Sequence, residues 1–206
     1  MTPQQARRSR EEVECALVEA AIRVLERDGA SALSTRQVAQ EAQVNPGLVH
    51  RYFGSMAALS ARVLDELAAR IAAQVGTGVE FSAGSALDCY ARVLTHTIVS
   101  GRDPRALQAE NPLADRLVGL LRDRAGLGIA EAQVCAAQIL TLYLGWAVFG
   151  EFAAHSAQVE ADRDALVESL RQAAIDLAVA DTQRASGSGS RSRSSSEPET
   201  PESPER

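Results

Sequence analysis

Five side chains in a short stretch of this chain, Thr35, Arg36, His50, Arg51 and Tyr52, are hydrogen-bond donors, and two are cationic. Hydroxyls and guanidiniums hold phosphate oxygens, and an arginine fork also matches the major-groove edge of guanine. Between the two clusters runs Asn45-Pro46-Gly47. Asparagine and proline are helix-starting residues. Gly47 removes a side chain where backbone must come close to a duplex, and a helix N-terminus offers free N–H groups to phosphate. The chemistry on offer is nucleic-acid recognition: Thr35 is placed for a phosphate, Arg36 for a base edge, and His50, Arg51 and Tyr52 as outward donors.

The elements that must hold these groups are helices. Val13, Leu17, Ala20, Ala21, Val24 and Leu25 make one apolar stripe over 11–28, and Gly29 follows where a helix C-terminus favours it. Ser34 is an N-cap for a short helix over 35–42, with Val38 and Ala39 inward. A third helix begins at Asn45-Pro46 and ends near Gly54; at about two turns it needs its neighbours to be stable. Ser55 caps a longer fourth helix carrying Leu59, Val63, Leu67 and Ile71, ended by Gly76-Thr77-Gly78. Further helices are expected at about 84–100, 104–110, 112–125, 130–154 and 161–180. The 130–154 segment is apolar nearly all round, so several of its sides should be covered. The 161–180 segment has a stripe of Leu166, Leu170, Ala173, Ala174 and Leu177. No apolar–polar alternation reaches strand length. The fold class is therefore all-α: an N-terminal three-helix helix-turn-helix domain and a C-terminal helical domain. The division is a basic flexible arm over 1–10, a helix-turn-helix domain over 11–56, a larger helical domain over 57–185 and a disordered Ser/Glu/Pro-rich tail over 186–206.

Charge agrees with a split of roles. The net charge is -6, yet residues 1–62 carry eight Arg against seven acids while 63–185 carry ten against sixteen. The first segment can face an anion and the second cannot. Every basic residue among the 21 is Arg. Cys15, Cys89 and Cys135 fit neither a disulfide framework nor a metal site, so no metal and no cofactor is expected. No charged-then-apolar leader opens the chain and no apolar run approaches the ~18 residues of a bilayer span, which points to the cytoplasm and no membrane partner.

The stretch Ser-Thr-Arg-Gln-Val-Ala-Gln-Glu-Ala-Gln-Val-Asn-Pro-Gly-Leu-Val-His-Arg-Tyr-Phe-Gly-Ser (34–55) resembles the N-terminal domain of the tetracycline-repressor (TetR) family. That family's pattern runs Thr, a basic residue, Ile-Ala, Ala-Gly-Val-Ser, then a Leu-Tyr pair, an aromatic, Phe and Lys. The resemblance covers about residues 11–62. It implies a homodimeric regulator, in the usual case a repressor, that binds a palindromic operator in double-stranded DNA and has a C-terminal effector and dimerisation domain. DNA contacts would map onto Thr35, Arg36, Asn45, Gly47, His50, Arg51 and Tyr52. Two positions depart from the pattern. Gln43 stands where the turn usually has Gly, and a left-handed backbone there would cost ~1 kcal/mol. Met56 stands where a phosphate-binding Lys is usual, so one cation is missing, partly offset by Arg7, Arg8 and Arg10 in the arm.

The effector of such a protein would be a small apolar molecule held among the helices of 84–154. Tyr90, His96, Tyr143, Trp146 and Phe149 are the candidate liners, since pockets are mostly apolar with a few polar groups. Helices 130–154 and 161–180 would pair across a two-fold as a four-helix bundle. Two other functions compete. One is an enzyme on a helical scaffold, but there is no His-Glu-x-x-His, no phosphate loop and no dense carboxylate–His cluster. His50, His96 and His155 are scattered, so no catalytic residue is assigned. The other is a protein-binding adaptor whose apolar groove takes a partner helix.

Overall fold

The computed structural model describes residues 9–106, 108, 110–160 and 162–191. Eight α-helices follow one another there: α1 (Arg10–Asp28), α2 (Thr35–Glu41), α3 (Gly47–Phe53), α4 (Met56–Gln74), α5 (Ala86–Val99), α6 (Pro112–Ala125), α7 (Ile129–Ser156) and α8 (Arg163–Arg191). Single 3₁₀ turns lie at Ala30–Ala32 and Pro104–Ala106. Among the described residues there is no strand, and the all-α expectation holds.

Local chemistry sets most boundaries. Ser9 and Glu12 form a reciprocal capping box at the head of α1. The hydroxyls of Ser34, Ser55 and Ser85 accept from backbone N–H groups three residues on, opening α2, α4 and α5. Asn111 does the same for α6, with Pro112 at the first helical position. The helix expected over 104–110 is only the turn Pro104–Ala106. Asp103 takes the backbone N–H of Arg105 as well as its guanidinium, a local bond that competes with helix growth. Pro112 also biases the residue before it away from the α region.

α1 lies at the centre of the N-terminal group and buries the whole predicted stripe. Arg23 and Arg27 of α1 both reach Glu41 of α2, at 2.9 and 3.0 Å. Arg70 of α4 bonds Glu19 of α1 and Glu66 of its own helix. α4 then continues into the larger helical group, burying Leu59, Val63, Leu64, Leu67, Ala68 and Ile71.

Two expectations need correction. Arg10 is not in a flexible arm: it is the first residue of α1 and pairs with Glu14 at 2.7 Å; Arg7 and Arg8 lie outside the described residues. α8 runs through Arg191, past the tail boundary expected after 185. Extending an existing helix needs no new nucleus, although Ser-Gly repeats give no local preference for it; residues 192–206 lie outside the described residues. As expected, several sides of α7 are covered, by α5, α6 and α8, though not all. It buries Ala132, Cys135, Ala136, Ile139 and Gly150, but Val134, Phe149 and Phe152 are exposed. By length and composition α7 could cross a membrane. Gln133, Gln138 and Thr141 interrupt its apolar sequence, and it packs against α5, α6 and α8.

Candidate nucleic-acid interface and effector groove

The reading unit is built from α2, a tight turn and α3. Val38, Ala39, Ala42 and Val49 are buried and lock the two short helices onto α1. The turn closes through Val44 N–H donating to Ala39 O at 2.9 Å. This requires Gln43 at φ 55°, the left-handed backbone anticipated there. Asn45 Oδ1 accepts the N–H of Gly47 at 2.8 Å, and α3 starts at Gly47 rather than at Pro46. A Cβ on Gly47 would come within 3.2 Å of that same oxygen. Asn45 and Gly47 thus act together as a helix-starting device, with Asn45, Pro46 and Gly47 all exposed.

On α3 the division between faces is sharp. Val49 has no exposed surface, and Leu48 and Phe53 are half-buried, whereas His50 and Arg51 are exposed. His50 Nδ1 lies 3.3 Å from the carbonyl oxygen of Gly54. A carbonyl can only accept, so Nδ1–H is the donor in this contact. Tyr52 is half-buried and packs against the core. The guanidiniums of Arg10 and Arg51 lie 5.8 and 5.9 Å from the centre of its ring, within cation–π range. On α2, Thr35 is half-exposed and Arg36 exposed. Among the described residues neither Arg36 nor Arg51 has an acidic partner, while Arg23 and Arg27 are neutralised by Glu41. Those two hydrogen bonds hold the Glu41 carboxyl below its ordinary range. Positive charge on this domain is thus left available where α2 and α3 face outward. Arg10, paired with Glu14, borders this surface through the Tyr52 ring, whereas sequence reasoning put it in the arm; the Ser9-x-x-Glu12 capping signature could have placed it.

A groove of about 770 Å³ lies between α5 and α7, lined also by Phe81, Ser82, Ala83 and Ser85 and by Gly29 and Ala30. His96 and Trp146 line it. The Trp146 indole lies flat on Gly150, where a Cβ would be 2.7 Å from Cδ2. Val99, Val148 and Leu166 extend the apolar wall, and Thr95, Asp88 and Arg92 supply polar groups. Asp88 accepts from Arg92 at 3.0 Å and from the Gly84 N–H at 2.8 Å, which fastens the preceding loop to α5. Asp88, Arg92, Thr95 and Val99 recur at helical spacing on α5, a signal that sequence reasoning passed over.

The other three candidate liners are elsewhere. Tyr90 is buried; its hydroxyl donates to Gln108 at 2.7 Å and accepts from Asn111 at 3.3 Å, tying α5 to the start of α6. Burial raises its pKa. Tyr143 meets Phe81 edge to face at 4.9 Å and supports the groove wall from behind; burial raises its pKa too. Phe149 is 62% exposed on the outer side of α7. Among the described residues no cluster of His, Cys, Asp and Glu could hold a metal ion.

Comparison with known proteins fits this geometry. The sequence model described as bacterial regulatory proteins, tetR family, matches residues 17–63. The chain is 32% identical over 141 residues to the HTH-type transcriptional repressor Rv3405c of Mycobacterium tuberculosis, covering 68% of this chain and 74% of that one. The same figures hold for the HTH-type transcriptional regulator Mb3439c of Mycobacterium bovis. Among solved structures, BioQ of Mycobacterium smegmatis superposes with a TM-score of 0.55 at 21% identity, over 82% of this chain and 98% of that one, a likeness of fold. With an exposed two-turn helix seated on a helical body, and relatives that are transcriptional regulators over two thirds of the sequence, this chain belongs to the TetR family of DNA-binding transcriptional regulators.

Proposed function

We propose that the protein is a ligand-responsive repressor that binds a palindromic operator as a homodimer and is released by a small apolar effector. Residues 11–56 are the DNA-binding domain and 57–185 the effector-binding and dimerisation domain. The observation that carries DNA reading is the two-sidedness of α3: Val49 holds it to the core while His50 and Arg51 point away. Thr35, Arg36, Tyr52, Asn45 and Gly47 complete the surface, the last two by setting the start of α3. Repression is supported by the name of the M. tuberculosis relative.

Dimerisation is supported by apolar side chains left outside. Val134, Phe149 and Phe152 on α7 and Ile175 and Val179 on α8 are all at least half exposed. Most of the stripe expected to form the seam is instead engaged within the protomer: Leu170 and Ala174 are buried and Leu166 lines the groove. The outward face of the same two helices takes its place in the proposed four-helix seam. Effector binding is supported by the groove, whose volume suits a small molecule and whose walls are mainly apolar. A ligand preferring one separation of the two reading helices shifts the population toward it.

Selection of bound sequences from a random DNA pool tests this reading. The expected product is two symmetry-related half-sites with centres about 34–36 Å apart. Arg36→Ala should abolish retention of that DNA. Tyr52→Phe is the cleaner partner to it, because Tyr52→Ala would also remove packing from the core. Failure to enrich any sequence would sink the proposal.

A further inference from the structure

Two guanidiniums from two different helices approach the ring of Tyr52. Arg51 is its neighbour on α3 and Arg10 opens α1; their central carbons lie 5.9 and 5.8 Å from the ring centre. The ring is half-buried and packed against the core. It is therefore a fixed platform on which two long side chains are ordered. Arg10 is also held from behind. Its Nε donates to Glu14 Oε1 at 2.7 Å, and among the described residues its two terminal NH₂ groups meet no acceptor. Those two groups are the part of the guanidinium fork that matches a pair of phosphate oxygens. The Arg10 side chain is 72% exposed, so the pair with Glu14 is a weak competitor for it. The backbone at this corner is already satisfied. Ser9 Oγ accepts the Glu12 N–H, and Glu12 Oε2 accepts the Ser9 N–H. An anion here would be held by side chains alone.

We propose that Arg10 and Arg51 form a clamp for the DNA phosphate backbone at the outer edge of α3, with the Tyr52 ring as the positioning residue that brings the α1 guanidinium to it. This rests on the reading of α2 and α3 as the DNA-binding unit. The first turn of α1 then grips the duplex together with α3, although the two helices meet it from different parts of the chain. A phosphate contact carries no sequence information, so the clamp contributes affinity and register while Arg36 reads a base edge.

Fluorescence anisotropy on the full chain tests this, with the pool-selected operator and a scrambled duplex of equal length over a range of salt. Arg10→Ala should weaken both duplexes by the same factor, at least about fivefold at low salt. It should also lower the log–log salt slope by about 0.9 per protomer. Arg36→Ala should act mainly on the operator. The part played by the ring is read from a double-mutant cycle. Tyr52→Phe keeps the ring, so Arg10→Ala should cost the same factor in that background. Tyr52→Leu keeps apolar packing without the ring, and there Arg10→Ala should cost less than about twofold. Tyr52→Met takes its place if the leucine variant does not fold. Glu14→Gln keeps an acceptor for Arg10 Nε and removes the adjacent negative charge, so it should bind DNA at least as tightly as the unaltered protein. If Arg10 served only to close the first turn of α1, Glu14→Gln would weaken binding as Arg10→Ala does and the salt slope would not move. Either result overturns the proposal. So does an equal Arg10→Ala factor in the phenylalanine and leucine backgrounds, or an effect of Arg10→Ala confined to the operator. An unaltered protein that retains neither duplex brings down the DNA-binding reading itself, and the clamp with it.

Discussion

Replacing Gly150 by alanine puts the largest calculable strain on the groove. A glycine-to-alanine change inside an exposed helix normally stabilises by about 1 kcal/mol. At Gly150 the new methyl would sit 2.7, 2.9 and 3.1 Å from three carbons of the Trp146 indole. Carbon atoms in contact prefer about 3.5–4.0 Å, so the ring must retreat by about 1 Å. Overpacking of this kind costs about 1–3 kcal/mol. Gly119, inside α6, is the control, because a methyl there has nothing within 4 Å. The difference between the two variants isolates the overpacking. For a chain of this size it corresponds to a gap of about 2–12 °C in melting temperature at matched protein concentration. Trp146 is the single tryptophan of the chain, so its emission reports the ring's displacement directly. Gly150→Ala should shift that spectrum and Gly119→Ala should not. Equal melting temperatures for both variants with unchanged emission would refute the claim that the indole rests on the glycine backbone.

Met56→Lys should tighten DNA binding and steepen the log–log salt dependence by about 0.9 per phosphate neutralised; an unchanged slope removes position 56 from the interface. Met56 is half-buried, and a lysine stem can lie along the same apolar surface with its ammonium outward. Gln43→Gly relieves a left-handed backbone at φ 55° but loosens the unfolded chain, for a net gain of about 0.5 kcal/mol by urea titration; a loss would contradict the turn geometry. Burial pushes the Cys89 thiol up to about 11. Its neutral form is the one favoured by folding, so its contribution to stability is complete below the unfolded-state pKa near 9 and is lost as pH rises through about 11. Unfolding titrations should show that alkaline loss, diminished in Cys89→Ala. At pH 8 one thiol, Cys15, should react rapidly with a thiol reagent, and rapid reaction of Cys89 would show that it is not enclosed.

The sequence made the reading unit legible because its signals are local. Ser34, the Asn45-Pro46-Gly47 start and the apolar stripe of α1 each fix a boundary or a face within a few residues. The short helix over 104–110 failed for an equally local reason, the Asp103 side chain competing for backbone N–H groups. The groove was half legible. His96 and Trp146 face it, but Tyr90 and Tyr143 are held by partners far along the chain, Gln108 and Phe81, that no periodicity reveals. The apolar faces of α7 and α8 were legible as faces, yet which stripe turns inward depends on how α8 docks on α7, and that is tertiary information.

Only Gly54 and Ser55 separate α3 from α4. So short a joint transmits rotation with little slack, and α4, at 19 residues, is a lever about 28 Å long. Tilting it by about 5° swings one end by about 2.5 Å, most of the 3.4 Å rise of one base pair. In the proposed homodimer, sub-ångström adjustments near its pivot would therefore throw the two reading halves out of phase with the duplex.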